Sequence, residues 1–315
     1  GDASFRKFYR IILKKKNKII VIAQKDKYKN LLSYIAINKF LRKNNILAPQ
    51  LFSYNYQKGY IIIQDFGDLT FNKILKKKIN KFKIYKKLID LLIKIQKIKV
   101  EKKIKNINNK VHLIKKYSNK NLLQESNLFF DWYLPLFLDK KKTYNIKIKL
   151  NKILKKLYKK IYFSNSCFVH RDYHVQNLMQ VGKKIGVIDS QDALIGHPAY
   201  DLASLIDDVR IKNSIKLKND IYNYYLRKTK KIYKKNPNFF FRDFKILSVQ
   251  RSLKIIGIFS RLFLRDNKQQ YLKLIPYTWQ LLELRLNDEI FTELRKVLKT
   301  YIPNKFKRKK IYKWK

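Results

Sequence analysis

The chain has 315 residues, 46% hydrophobic and 14% aromatic, with 74 Lys and Arg against 22 Asp and Glu, a net charge of +52. Length and apolar content exclude a disordered chain and suggest about two lobes; a single cysteine, Cys167, excludes a disulfide framework or a cysteine-rich zinc module, and no run reaches the roughly 18 apolar residues of a membrane span. Lys, Ile, Asn, Tyr and Phe are enriched together while Arg, Gly and Pro are scarce, the mark of an A+T-rich coding sequence. A nucleic-acid surface would enrich Arg as well, for its bidentate fork, so nucleic-acid binding is not expected despite the charge.

In chain order, Phe8 to Leu13 and Lys18 to Ala23 are apolar, β-branched runs around Lys14 to Asn17, which predicts a hairpin. Leu31, Leu32, Ile35, Ala36 and Phe40 recur at helical spacing up to Asn44-Asn45. Leu51 to Tyr54 and Tyr60 to Ile63, divided by Lys58-Gly59, predict a second hairpin. After Gly67 helical stripes take over, at Ile84, Leu88, Leu91, Leu92 and Ile95, and again at Ile153, Leu154, Leu157, Tyr158 and Ile161. Short strands return between residues 168 and 189, and the chain is helical from Tyr200. This predicts an α+β fold in which a small β-rich N-terminal lobe, residues 1–67, precedes a larger mostly helical C-terminal lobe, residues 68–303. A basic tail, 304–315, holds the dense run Lys305–Lys310 and is expected to be solvated. The only Met is Met179, so a truncated start is expected.

The informative segment begins at Phe168. It contains His170-Arg171-Asp172, with Asn177 five residues after the Asp, matching the kinase catalytic-loop pattern H-R-D-x-x-x-x-N. Asp189 follows twelve residues after Asn177, and Gly182-Lys183 between Leu178–Val181 and Lys184–Ile188 predicts a hairpin. Such a hairpin brings Asn177 and Asp189 to neighbouring strand ends. Phosphoryl transfer needs a positioned hydroxyl and neutralised charge. Asp172 is therefore read as the catalytic carboxylate that takes the hydroxyl proton. Asn177 and Asp189 offer the hard oxygens that Mg²⁺ prefers. His170 is read as structural support of the loop, His174 as loop support or a substrate contact, and Asp192 as a second metal contact, a substrate contact or a turn carboxylate. Asp65-Phe66-Gly67 spells the kinase metal motif, but it precedes the catalytic loop instead of following it. Gln64, Asp65 and Phe66 are read as the hinge whose backbone meets adenine, so Asp65 is not a metal ligand.

Gly196-His197-Pro198-Ala199-Tyr200-Asp201-Leu202-Ala203 resembles the G-x-P-x-x-D-L-A stretch of the aminoglycoside phosphotransferase superfamily, whose fold is protein-kinase-like with two lobes. Four further segments, Gly1–Arg10, Phe129–Leu134, Val187–Ala193 and Val249–Arg261, are similar to the anomeric kinases that phosphorylate N-acetylmuramate and N-acetylglucosamine at C1. The resemblance implies ATP, Mg²⁺, a cytoplasmic setting and peptidoglycan recycling. It also implies that Asp201 braces the catalytic loop and that Ser4 lies over the ATP phosphates. Arg251, with Asp131 or Trp132, becomes the candidate contact for the acceptor, whose lactyl carboxylate suits an Arg.

One departure from the kinase pattern stands out: Gln24 occupies the place of the strand lysine, and Lys25 follows it. The anomeric kinases share this loss, which favours that subgroup over antibiotic kinases. The residues leave open another small hydroxyl acceptor of aminoglycoside, choline or homoserine type, or a non-catalytic pseudokinase or Lys-rich binding protein.

Overall fold

A computed structural model describes residues 6–14, 16–24, 28–106, 111–229, 233 and 236–308. The chain divides into two compact units. The first comprises Gly1–Lys116, Asn165–Leu205 and Asn213–Lys228, and the second Tyr117–Ser164, Ile206–Lys212 and Thr229–Lys315. The expected boundary after Gly67 falls inside the first unit.

The first unit begins with β1 (Lys7–Ile11) and β2 (Lys18–Ile22), paired antiparallel from Lys7↔Ile22 to Ile11↔Lys18, as the hairpin reading expects. Helix α1 (Tyr28–Lys43) follows, then β3 (Leu51–Asn55) and β4 (Tyr60–Gln64), giving a four-stranded antiparallel sheet in the order β1-β2-β4-β3. Period-two alternation turns Ile61 and Ile63 of β4 inward. With Val21, Leu31, Tyr34 and Ile35 they form the core under α1. The helix stops where the sequence places the stop. Asn45 takes a left-handed φ of 58°, its amide donates to Arg42, and the Ile46 amide donates to Leu41 at 2.9 Å, a Schellman closure that Asn tolerates. Helix α2 (Phe71–Leu75) is capped by Thr70 and α3 (Lys81–Gln96) by Asn80. A two-stranded ribbon follows, β5 (Lys103–Lys105) with β6 (Val111–Leu113), which the periodicity does not announce because three-residue strands carry too few alternations.

The second unit is helical: α4 (Asn119–Leu128), a π-helical turn (Phe129–Tyr133), α5 (Lys140–Lys159) and, later, the 30-residue α8 (Pro237–Asp266) with α9 (Ile275–Leu286). A Cβ placed on Gly257 of α8 would lie 2.2 Å from the carbonyl carbon of Leu128, so α8 crosses the junction of α4 and the π turn backbone to backbone. Phe129, Tyr133 and Trp279 fill the space beside that crossing, with ring centroids 5.0–5.8 Å apart. Contrary to the charge-based expectation, the start of the basic tail is not solvated throughout. Phe306 stacks on Phe137 at 4.1 Å, and Lys307 is buried, pairing with Glu283 at 3.1 Å. An aromatic anchor and a half-exposed carboxylate partner draw this part of the tail onto the unit; the tail beyond residue 308 lies outside the described residues.

Gly257→Ala should lower the stability of the second unit by about 1–3 kcal/mol, because the obstacle is main chain and cannot rotate away. Chemical denaturation followed by tryptophan fluorescence reports it through Trp279.

Candidate active site

Strand β7 (Cys167–Val169) pairs antiparallel with β10 (Leu194–Gly196) in the first unit. Burial pushes the Cys167 thiol well above its usual range, so the one cysteine is a packing residue. The chain then enters the loop from His170 to Asn177, and several contacts hold that loop. The Asp201 carboxylate, fully buried in the first turn of α6 (Ala199–Ile206), accepts the amides of His170 at 2.6 Å and Arg171 at 3.0 Å. Tyr173 is buried and its hydroxyl donates to the Leu88 carbonyl of α3 at 2.8 Å; burial, then the nearby Asp201 charge, hold this phenol far above its usual range, so it remains a neutral donor. The Asn72 amide donates to the Val175 carbonyl at 3.0 Å.

Hydrogen bonds join the predicted residues. His170 bonds the Ile188 carbonyl through Nε2 at 3.0 Å, and its Nδ1 accepts the Asp172 amide at 3.3 Å; this pairing assigns the proton to Nε2. Asn177 donates from Nδ2 to the Asp172 carbonyl at 3.0 Å, and its own carbonyl accepts the Ile188 amide at 3.1 Å. Strands β8 (Leu178–Val181) and β9 (Lys184–Val187) form the expected hairpin, Val181 opposite Lys184 with Gly182-Lys183 at its turn. Asn177 and Asp189 therefore flank the open end of one hairpin. With its Nδ2 engaged, Asn177 keeps Oδ1 as an oxygen donor. A neutral amide oxygen and a carboxylate are a fitting pair for Mg²⁺, which takes few protein ligands and completes its shell with phosphate and water. Among the described residues there is no group of three His, Cys, Asp or Glu that could hold a metal.

Two residues of this region have positive φ, Arg171 at 74° and Asp189 at 65°. Each costs about 1–2 kcal/mol and persists only where neighbours over-determine it. Arg171 is held by Asp201 and by its guanidinium bond to the Asp192 carbonyl at 3.1 Å. Asp189 is held by Arg6, whose guanidinium lies 2.6 Å from Oδ1.

The other expected residues fall as follows. His174 is buried, and its amide donates to the Asp172 carbonyl while its carbonyl accepts the Asn177 amide. The exposed Asp192 accepts the Gln191 side-chain amide at 2.9 Å. Gln64 ends β4, its amide donating to the Gln50 carbonyl at 2.8 Å. Phe66 is buried, and a Cβ on Gly186 would lie 2.6 Å from its ring, so the ring lies on the backbone of β9. Asp65 is engaged by Arg10 at 2.6 Å and by the Gly67 amide at 2.7 Å. Ser4 and Lys25 lie outside the described residues. Arg251 is buried in α8 and Asp131 pairs with Lys147 at 2.6 Å, both in the second unit. A cavity of about 290 Å³ lies beside α1, lined by Tyr34, Asn38, Arg42 and Gln50 among others; no residue of the loop or the hairpin lines it. Sequence reasoning did not single out Arg6, which sits inside a resembling segment but shows no spacing signal.

A model of the phosphotransferase enzyme family matches residues 1–233. The chain is 27% identical over 282 residues to an N-acetylmuramate/N-acetylglucosamine kinase of Neisseria meningitidis serogroup B, covering 88% of this chain and 81% of that protein. It is also 27% identical over 286 residues to the protein of that name from Pseudomonas aeruginosa, covering 90% and 81%. Among solved structures, the ADP-bound aminoglycoside phosphotransferase APH(2'')-Ib aligns with a TM-score of 0.57 at 15% identity, over 90% of this chain and 94% of that one. A Plasmodium vivax ethanolamine kinase aligns with a TM-score of 0.58 at 13% identity, over 92% and 84%. The fold is the kinase-like α+β fold that the sequence predicts.

Asp201→Ala should leave two buried amide donors without their acceptor, at about 1–3 kcal/mol for each. Hydrogen exchange should show the His170 and Arg171 amides losing protection ahead of those in the β1–β4 sheet.

Proposed function

The chain belongs to the phosphotransferase enzyme family, and from that premise we propose that it is an ATP-dependent kinase of the anomeric hydroxyl of N-acetylmuramate and N-acetylglucosamine. The observation that carries the proposal is the hydrogen-bonded linkage of Asp172, Asn177 and Ile188, the residue before Asp189. The names of the Neisseria and Pseudomonas relatives support the acceptor.

In this reading the half-buried Asp172 takes the proton of the C1 hydroxyl as that oxygen forms a bond to the γ-phosphorus. The bond from the γ-phosphorus to the β,γ-bridging oxygen breaks, and ADP leaves. An anomeric hydroxyl is more acidic than an ordinary alcohol, which suits a carboxylate base. Asn177 Oδ1 and the Asp189 carboxylate would hold Mg²⁺, which supplies neutralisation of the phosphate charge. The backbone around Gln64 and Phe66 would meet the adenine. His174, buried within the loop, supports Asp172 and Asn177 through its backbone. Among the described residues no helix is long and apolar enough to cross a membrane, and the cytoplasm, where ATP is abundant, is the proposed location.

A panel of acceptors with ATP and Mg²⁺ tests the assignment. ADP release should be fastest with the two N-acetylated sugars, and faster turnover of an aminoglycoside, choline or homoserine would sink the acceptor assignment. Asp172→Asn should lower kcat by about 10²- to 10⁴-fold, with Mg–ADP affinity, read by calorimetry, held near that of the parent. Unchanged turnover would remove Asp172 from the mechanism.

A further inference from the structure

Kinase-type sites place a strand lysine on the nucleotide phosphates and pair it with a helix glutamate. Among the described residues neither half of that pair stands at its place. Gln24, at the lysine position, is neutral and exposed, and α1 carries no acidic residue along its length. The face of α1 instead presents Tyr34 and, one turn later, Asn38.

A different cation is buried in this region. The Arg6 guanidinium, 5% exposed, donates to Asp189 Oδ1 at 2.6 Å and to Gln191 Oε1 at 3.0 Å. It lies 5.4 Å from the Tyr34 ring centroid and 5.6 Å from that of Phe8, distances at which a ring face attracts a cation. Burial pushes the Tyr34 phenol up to about 12, so the ring beneath the cation stays neutral. Ser190 Oγ donates to Asn38 Oδ1 at 2.9 Å. Three consecutive residues, Asp189 to Gln191, are thus tied to Arg6 or to α1.

Resting on the kinase reading above, we infer that Arg6 is the positioning residue of the metal-holding carboxylate, a buried cation bonded to the metal ligand itself and not, like the strand lysine of other kinases, a cation on the nucleotide phosphates. Its bond engages Oδ1 of Asp189 and leaves Oδ2 as the oxygen for the cation. The flat fork of an Arg spans Asp189 and Gln191 at once, which a Lys, as a point charge, does not. The bond also holds Asp189 at a φ of 65°, a conformation that an unsupported Asp would leave. The cation and its carboxylate come from segments 183 residues apart, so the metal end of the hairpin is completed only when the start of β1 is in place.

The test uses the full chain and Mg–ADP binding by calorimetry, with kcat measured beside it. Arg6→Met keeps the apolar stem and removes the fork. Loss of a partner that orients a metal ligand typically costs about 10- to 100-fold in metal affinity, and that is the weakening expected for Mg–ADP. Arg6→Lys should recover only part of it. Because Arg6 acts through Asp189, Arg6→Met combined with Asp189→Asn should bind Mg–ADP about as weakly as Asp189→Asn alone. Losses that multiply, or a folded Arg6→Met chain that binds Mg–ADP as the parent does, would overturn the inference. If Arg6→Met does not fold, Arg6→Lys with the same cycle decides the matter by the same criterion. A parent chain that neither binds Mg–ADP nor turns over ATP would instead remove the kinase reading itself.

Discussion

Asp201 holds its charge out of water by turning both carboxylate oxygens to the amides of His170 and Arg171. Two consecutive amides can face one carboxylate only if the chain bends sharply there, and the positive φ of Arg171 is that bend. The rest of the loop follows from it. His170, fixed by its main chain, reaches the Ile188 carbonyl at the end of the hairpin, and the Asp172 carbonyl accepts the side-chain amide of Asn177. Compensated burial of one charge thus sets the direction of several side chains that are distant in sequence.

The same device recurs in the second unit, where Asp243, fully buried in α8, accepts the amides of Tyr162 and Phe163 at 2.9–3.0 Å. Asp207 takes a bidentate Arg285 and the Ser248 hydroxyl, and Glu125 pairs with Lys254 at 3.2 Å. With 22 acidic residues in a chain of net charge +52, cations are everywhere and a surface Lys carries little information. A buried carboxylate is different, because it requires specific donors, and removing one side of such a pair leaves an uncompensated charge. In a composition bent towards Lys, the buried acids are therefore the residues that specify geometry.

Much of the site's frame was legible in the sequence because it is local. The turn at Gly182-Lys183, the strands beside it and the stop of α1 at Asn44-Asn45 each follow from a short run of residue types. What the sequence did not reveal is long-range or depends on packing. Arg6 reaches Asp189 across 183 positions, and no spacing rule connects them. The π turn at Phe129–Tyr133 arises where α8 comes too close for a Cβ, a property of the crossing and not of the segment itself. The tail reads as solvated by charge alone, yet Phe306 and the carboxylate of Glu283 outweigh that charge.

Gly186 shows how a packing constraint can be recovered from composition. The chain has seven glycines in 315 residues, so a glycine inside a strand calls for a steric reason. Here the reason is the ring of Phe66, which occupies the space a side chain on β9 would need. Phe66 follows the end of β4, and Gly186 lies three residues before Asp189. The contact therefore fixes the segment after β4 against the strand that leads to the metal-holding carboxylate. Arg6 fixes that carboxylate from the other side of the sequence, just ahead of β1. Through these two contacts the segments that flank the four-stranded sheet brace both the hairpin and the residue beyond it.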